Sequence, residues 1–260
     1  MQAPAKTVTL CGIPFENLSQ AEARERIASL LLHRHSATVF TPNPQFLAKA
    51  QKDPSLAALL RTADLLLPDG VGLTLAARLC GTPLKARLTG IDTAEWLLSY
   101  AAAHGLSLFL LGAAPTVAER TAEQLRARFP SLRICGTHHG YFDKTKDSEE
   151  NKRLLTKLRQ AAPDLLFVCF GFPAQERWIA ENAHGIPSLR LCMGLGGAFD
   201  VWSGKRRRAP RILQRCGLEW LWRALREPRR FPALLGSTAA LCRIIIRQNQ
   251  ILHKTENRHP

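Results

Sequence analysis

The feature that most constrains the fold is a repeated unit: a short apolar run, a turn containing Gly, Pro or Asn, and a stretch with helical spacing. The runs lie at residues 37–40, 63–67, 106–111, 132–135, 164–170 and 189–193. Largely apolar runs of this length suit parallel strands that are covered on both faces. We therefore expect an α/β protein with a parallel sheet flanked by helices, whose ligands bind beyond the carboxyl ends of the strands.

One acidic residue, Asp69, follows such a run directly, in Leu67-Pro68-Asp69-Gly70, and precedes a helical stretch. A carboxylate at this position lies at the mouth of the expected site. The nearby helix N-terminus favours its charged form, which can act as a general base. A helix N-cap is the alternative, because Asp is equally suited to that position.

Other candidate residues also follow strands. Thr41 and Asn43 alternate with Pro42 and Pro44, and each Pro holds the residue before it extended. A plain turn accounts for the same residues. Arg87 is either a surface charge or a clamp for a diphosphate, which suits the planar guanidinium group.

Two glycine sites could bring backbone N–H groups near a phosphate. Gly112, like the pair Gly196 and Gly197, lies between a strand and a helix, although an ordinary loop explains this equally well. Gly194-x-Gly196 lacks the third glycine of a dinucleotide fingerprint, which disfavours a nicotinamide enzyme.

The composition argues against a metal site. The seven cysteines are widely spaced and mostly within apolar runs, as in a reduced cytosolic protein, and no pair has Cys-x-x-Cys or zinc-ligand spacing. The adjacent His138 and His139 have no suitably spaced third ligand. The N-terminus has no signal-peptide apolar region, so secretion is not expected.

Charge divides the chain at about residue 204. The formal net charge is +15, and residues 205–260 contain 14 Lys or Arg against three Glu. We expect a core over 1–204 and a basic helical appendage over 205–260, with one helix spanning Arg211 to Arg226. The apolar stretch 231–246 is too short and too charged to cross a bilayer. We expect an interfacial amphipathic helix that binds the anionic membrane surface. A nucleic-acid-binding surface and a solvated face packed on the core are the alternatives.

Several motifs together make the chain resemble the WecG/TagA/CpsF family of glycosyltransferases. They are Thr41-Pro42-Asn43-Pro44, Leu67-Pro68-Asp69-Gly70-Val71-Gly72, Arg87-x-x-Gly90, Gly136-Thr137-x-x-Gly140-Tyr141-Phe142, Gly171-x-Pro173-x-Gln175-Glu176, Gly196-Gly197-x-Phe199-Asp200, Arg208-Ala209-Pro210, Gly217-Leu218-Glu219-Trp220 and Glu227-Pro228-x-Arg230. The resemblance covers about residues 11–230.

The resemblance implies a Rossmann-like enzyme that transfers an N-acetylhexosamine, with inversion, from a UDP-sugar to a polyprenyl-diphosphate-linked sugar. Such enzymes act at the inner face of the bacterial membrane, in teichoic acid, common antigen or exopolysaccharide synthesis. Asp69 would be the base, with Thr41, Asn43 and Gln175 as polar active-site residues. Arg223 and Arg230 would meet the lipid diphosphate, and Arg87 and Tyr141 lie in family motifs. Asp200 could hold the ribose or uracil of the donor.

Three further expectations concern the cofactor, the partners and the alternative functions. The chain has no Asp-x-Asp motif, so we expect arginines and backbone N–H groups, rather than a metal ion or another cofactor, to neutralise the leaving diphosphate. A homodimer is expected from the family, and nucleic acid is not expected as a partner. A nucleic-acid-binding protein and a transferase with a soluble acceptor are the alternative functions, and the sequence does not identify the donor sugar.

Overall fold

The computed structural model describes residues 7–32 and 36–226. The strands are β1 (Thr7–Leu10), β2 (Ile13–Glu16), β3 (Ala37–Phe40), β4 (Leu65–Leu66), β5 (Ser107–Gly112), β6 (Arg133–His138), β7 (Leu165–Cys169) and β8 (Leu191–Gly194). The helices are α1 (Gln20–Leu32), α2 (Pro44–Ala50), α3 (Pro54–Leu60), α4 (Val71–Leu79), α5 (Gly90–His104), α6 (Val117–Arg128), α7 (Glu149–Ala161), α8 (Ala174–Asn182), α9 (Ala198–Trp202), α10 (Arg211–Arg215) and α11 (Glu219–Arg226). A 3₁₀ turn (Ala183–Gly185) follows α8.

Six of the strands form one parallel sheet in the order β4-β3-β8-β7-β5-β6, and β1 and β2 form a separate antiparallel hairpin. The α/β, Rossmann-like core is therefore confirmed. Successive residues of a strand point to opposite faces, and both faces are buried. On β3, for example, Val39 packs into one apolar cluster and Phe40 into the other.

Helix α1 is capped at its N-terminus and buries one face. Ser19 and Glu22 form a capping box at the start of α1: the Ser19 hydroxyl accepts from the Glu22 N–H, and the Glu22 carboxylate accepts from the Ser19 N–H. Ile27, Leu30 and Leu31 of this helix are buried as its spacing indicates, whereas Ala21 is exposed.

Other expectations were wrong or missed an element. The run before Asp69 pairs as a strand only at Leu65 and Leu66, because the next donor on the β3 side would be Pro42, which has no N–H. Strand β2 and helix α7 were not predicted. The expected helix from Arg211 to Arg226 is divided into α10 and α11 at Gly217, whose φ of +73° lies in the left-handed region that favours glycine.

Among residues 7–32 and 36–226, none of the helices combines the length and apolar character that a bilayer span requires. The six cysteines of this part are free, and Cys135 and Cys216 are exposed rather than in the core. The apolar stretch 231–246 and Arg230 lie outside the described residues.

Candidate active site

The loops after β3 and β4 run side by side at the carboxyl edge of the sheet. Beyond the strands, the Leu67 N–H donates to the Phe40 carbonyl oxygen (2.9 Å) and the Asp69 N–H donates to the Pro42 carbonyl oxygen (3.1 Å). Parallel pairing thus continues in the loops, and it places Asp69 beside Thr41 and Asn43.

Asp69 does not cap the helix that follows it. Gly70 is the N-cap residue of α4, with φ +96°, and no side chain caps this helix. The Asp69 carboxylate instead accepts a hydrogen bond from the Gly90 N–H, at the start of α5. The carboxylate is therefore directed toward the start of α5 and not toward the N-terminus of α4.

Gly90 allows this close approach. A Cβ at Gly90 would lie 2.6 Å from the Thr41 Oγ1, so any larger residue would displace Thr41. Thr41 is itself buried. The hydroxyl of Thr41 and the carboxylate of Asp69 are consequently held around one glycine backbone.

Asn43, rather than Asp69, serves as a helix cap. Its Oδ1 accepts from the N–H groups of Gln45 (2.9 Å) and Phe46 (3.3 Å) at the start of α2. The cap fixes the orientation of the side chain, so that its amide NH₂ is the part that can donate to a ligand.

Gln175 is a buried link between two loops. Its Oε1 accepts from the Gly171 N–H (3.1 Å), after β7, and from the Gly196 N–H (2.9 Å), after β8. Its Nε2 donates to Oε1 of Glu176 (2.8 Å), which is also buried. The resemblance predicted a catalytic group at Gln175, whereas the observed contacts hold the glycine loop at 194–197 in place. Glu176 was not among the candidate residues. The only feature of the sequence that pointed to it is its position directly after Gln175 in the Gly171-x-Pro173-x-Gln175-Glu176 motif.

The environment of Asp69 raises its pKa to about 6, because surrounding protein atoms exclude most solvent from this partly accessible side chain. Arg223 opposes this effect most strongly, followed by the Gly90 N–H and Arg87, whereas Glu219 adds to it. A carboxylate with this pKa is ionised at neutral pH and is a stronger base than an ordinary Asp.

Residues 211–226, which belong to the described part of the appendage, pack next to this site. A Cβ at Gly217 would lie 2.3 Å from Cγ2 of Val71, at the start of α4, so the turn between α10 and α11 touches the core directly. Arg87 Nη2 donates to the Gln214 carbonyl oxygen (2.7 Å). Arg87 therefore lies where the core meets the appendage.

A cavity of about 460 Å³ separates α9 from the appendage. Its lining includes six cationic side chains: Lys205, Arg206, Arg207, Arg208, Arg223 and Arg226. Such a concentration of positive charge is suited to binding an anion such as a diphosphate, because guanidinium groups pair with phosphate oxygens.

Comparison with known proteins identifies the family of this chain. The model of the glycosyl transferase WecG/TagA/CpsF family matches residues 8–254. The chain belongs to the WecG/TagA/CpsF family of glycosyltransferases.

Three relatives of this glycosyltransferase carry the name N-acetylglucosaminyldiphosphoundecaprenol N-acetyl-beta-D-mannosaminyltransferase. The chain is 37% identical to one from Bacillus spizizenii over 200 residues, covering 77% of this chain and 75% of that protein. It is 31% identical to one from Bacillus subtilis over 233 residues (89% and 88%). A Staphylococcus aureus protein is 30% identical over 229 residues (87% of each chain).

Some residues predicted for the transferase lie away from Asp69. Tyr141 is exposed in the loop after β6, where the neighbouring Gly140 N–H donates to the Ala113 carbonyl oxygen, after β5 (2.8 Å). A Cβ at Gly140 would lie 3.1 Å from Cδ1 of Phe170, so this loop also contacts the segment after β7. Gly112 packs against β7: its φ is +130°, and a Cβ there would lie 2.5 Å from the Cys169 carbonyl oxygen. Arg230 is outside the described residues.

Asp200 and the glycine pair lie nearer to the cavity of the transferase. The Asp200 carboxylate lies 3.5 Å from Arg206 Nε and 3.7 Å from Lys205 Nζ, so it anchors the first residues of the appendage. A Cβ at Gly196 or Gly197 would meet no atom within 4 Å, and Gly197 lines the cavity. Space for a ligand is thus open at this turn.

Proposed function

We propose that this glycosyltransferase moves an N-acetylmannosaminyl group from a UDP-sugar to N-acetylglucosamine linked to undecaprenyl diphosphate. The names of the relatives from Bacillus and Staphylococcus support this donor sugar and acceptor. The observation that carries the proposal is the placement of Asp69 at the carboxyl edge of the sheet, within the electrostatic reach of Arg223 and Glu219, which also line the cationic cavity.

In the proposed reaction, the acceptor hydroxyl attacks the anomeric carbon of the donor. A bond forms between the hydroxyl oxygen and this carbon, the bond from the carbon to the diphosphate oxygen breaks, and UDP leaves. Asp69 takes the hydroxyl proton. Attack on the face opposite the leaving group inverts the anomeric configuration.

The departing diphosphate gains negative charge, which needs positive partners. Arg87 and the arginines of the cavity are suited to this task, because guanidinium groups pair with phosphate oxygens through two N–H donors. We propose that they act without a metal ion. Transfer measured with and without EDTA tests this, and strict dependence on Mg²⁺ or Mn²⁺ would contradict it.

The decisive experiment replaces Asp69 by Asn. Loss of the base should lower kcat by about 10²- to 10⁴-fold, while UDP binding, measured by calorimetry, is retained. Asp147→Asn removes an exposed carboxylate and is the matched control. In the wild type, kcat/KM should rise with pH through about 6, where Asp69 loses its proton. Near-normal turnover of Asp69→Asn would refute the assignment.

The donor sugar is tested by mass spectrometry of the products from a panel of UDP-sugars with a prenyl-diphosphate-linked acceptor. Transfer to free N-acetylglucosamine at the same rate would favour the soluble-acceptor alternative instead.

We also propose that the appendage holds the protein on the anionic inner face of the membrane, each surface Lys or Arg contributing about 1 kcal/mol. The basic residues of 205–226 support this proposal. The intact chain should float with anionic liposomes, and the chain cut after Trp202 should not. Equal flotation would show that the appendage is not the anchor.

A further inference from the structure

Glu219, the first residue of α11, is the one carboxylate among the residues that line the cationic cavity. Its Oε1 lies 2.7 Å from Arg223 Nη2 and 3.7 Å from Arg208 Nε. The side chain is only 13% exposed. A carboxylate is therefore held between two of the guanidinium groups that line the cavity, those of Arg208 and Arg223.

This position has a clear electrostatic consequence. Arg208 and Arg223 carry like charges, which repel one another unless an anion lies between them. Removal of one partner from such a partly buried arrangement leaves the remaining charges uncompensated. Glu219 thus allows both guanidinium groups to lie beside the cavity before any substrate is bound.

Arg208 also connects Glu219 with the segment that precedes α5, next to Asp69. Arg208 Nη2 pairs with Asp92 Oδ1 at 2.6 Å, and Asp92 Oδ2 accepts from the Thr89 hydroxyl (2.6 Å). Thr89 caps α5 and precedes Gly90, whose N–H donates to Asp69. A continuous set of contacts therefore connects Glu219 with the backbone that holds Asp69.

We propose that Glu219 is a positioning residue for glycosyl transfer: it holds Arg208 and Arg223 toward the diphosphate and connects the appendage to the segment that orients Asp69. This proposal rests on the function proposed above. It assigns no proton transfer to Glu219.

A purely structural residue would not change the titration of Asp69, but Glu219 should. The charged groups that face Asp69 are Arg223 and Glu219 from α11 and Arg87 from the segment before α5, together with the Gly90 N–H. Loss of the Glu219 charge leaves the two arginines unopposed. The pKa of Asp69 should then fall below about 6, and Asp69 becomes a weaker base.

The test compares Glu219→Gln and Glu219→Asp in the full chain, with the exposed Glu123→Gln on α6 as the control. For Glu219→Gln we expect kcat to fall about 10- to 100-fold, because misplacement of charged groups by about 1 Å has effects of this size. The acidic limb of the profile of kcat/KM against pH should move to lower pH in Glu219→Gln. Glu219→Asp retains the charge, so its acidic limb should lie at the wild-type position.

A second measurement does not depend on turnover. The carboxyl carbon of Asp69, followed by NMR as a function of pH, should titrate at a lower pH in Glu219→Gln than in the wild type. An unchanged titration of Asp69 in Glu219→Gln would overturn the proposal. So would an equal loss of kcat in Glu219→Gln and Glu219→Asp if the acidic limb of the pH profile stays at its wild-type position. If the wild type transfers no sugar, the proposed function fails, while the NMR titration still decides whether Glu219 acts on Asp69.

Discussion

Replacement of Glu176 by Gln should stabilise the protein in a pH-dependent manner. Glu176 is 1% exposed; its Oε1 accepts from Gln175 Nε2, and its buried Oε2 has no hydrogen-bond partner. Burial raises its pKa from 4.5 to about 7, although the hydrogen bonds from Gln175 and from its own backbone N–H favour the charged form. The folded protein therefore pays a free-energy penalty when this carboxylate ionises.

The size of this penalty follows from the pKa. Each unit corresponds to about 1.4 kcal/mol, so a rise from 4.5 to about 7 amounts to roughly 3 kcal/mol. Between these pH values the folded state binds more protons than the unfolded state, and the free energy of unfolding falls as the pH rises. Gln has the shape of the protonated acid and keeps the acceptor for Gln175, but it cannot ionise.

Urea unfolding at pH 4.5 and pH 8 tests the calculation. Glu176→Gln and the wild type should differ by less than about 1 kcal/mol at pH 4.5, and the variant should be more stable by about 3 kcal/mol at pH 8. Glu181→Gln removes an exposed carboxylate from the same helix, and should change stability by less than about 0.5 kcal/mol at either pH. A gain of equal size at both pH values would refute the reasoning, because it would not depend on ionisation.

Two glycine substitutions separate the stability of the core from the docking of the appendage. Gly112→Ala should lower the free energy of unfolding by about 2–4 kcal/mol, since the new Cβ would lie 2.5 Å from the Cys169 carbonyl oxygen at a φ of +130°. The control is Gly185→Ala, whose Cβ would lie at an ordinary van der Waals distance of 3.6 Å from Nη2 of Arg159. An equal loss of stability in both variants would contradict this explanation. Gly217→Ala should lower kcat at least about tenfold, because its Cβ would lie 2.3 Å from Val71 and displace α11, while the thermal unfolding of the core by circular dichroism changes little. Unchanged kcat would show that the contact with α4 does not position the appendage.

Local sequence determined much of the core and the edge at which the site forms. Each apolar run overlaps one strand of the sheet, although β6 continues through Gly136 to His138. The carboxyl ends of parallel strands meet at one edge, so Thr41, Asn43 and Asp69 could be placed there from the sequence. The motifs added the family, which the family match confirms.

Local sequence could not decide between the two roles of Asp69. A cap and a base have the same sequence pattern, and the choice depends on which backbone N–H lies nearest to the carboxylate. That N–H belongs to Gly90, 21 positions further along the chain. Likewise, the local sequence does not show that Gln175 and Glu176 are buried. Gln175 is covered by the loop after β8, whose Gly196 N–H donates to it.

The sequence by itself therefore determined most of the elements, the composition of the catalytic edge and the basic character of residues 205–226, because these depend on neighbours along the chain. Tertiary structure alone decided the strand order, which places β6 at the opposite edge of the sheet from β4. It also decided the break at Gly217 and the placement of Glu219 between Arg208 and Arg223. The physical reason is that strand pairing, burial and ion pairing depend on residues far apart in the chain, whose contacts no local pattern encodes.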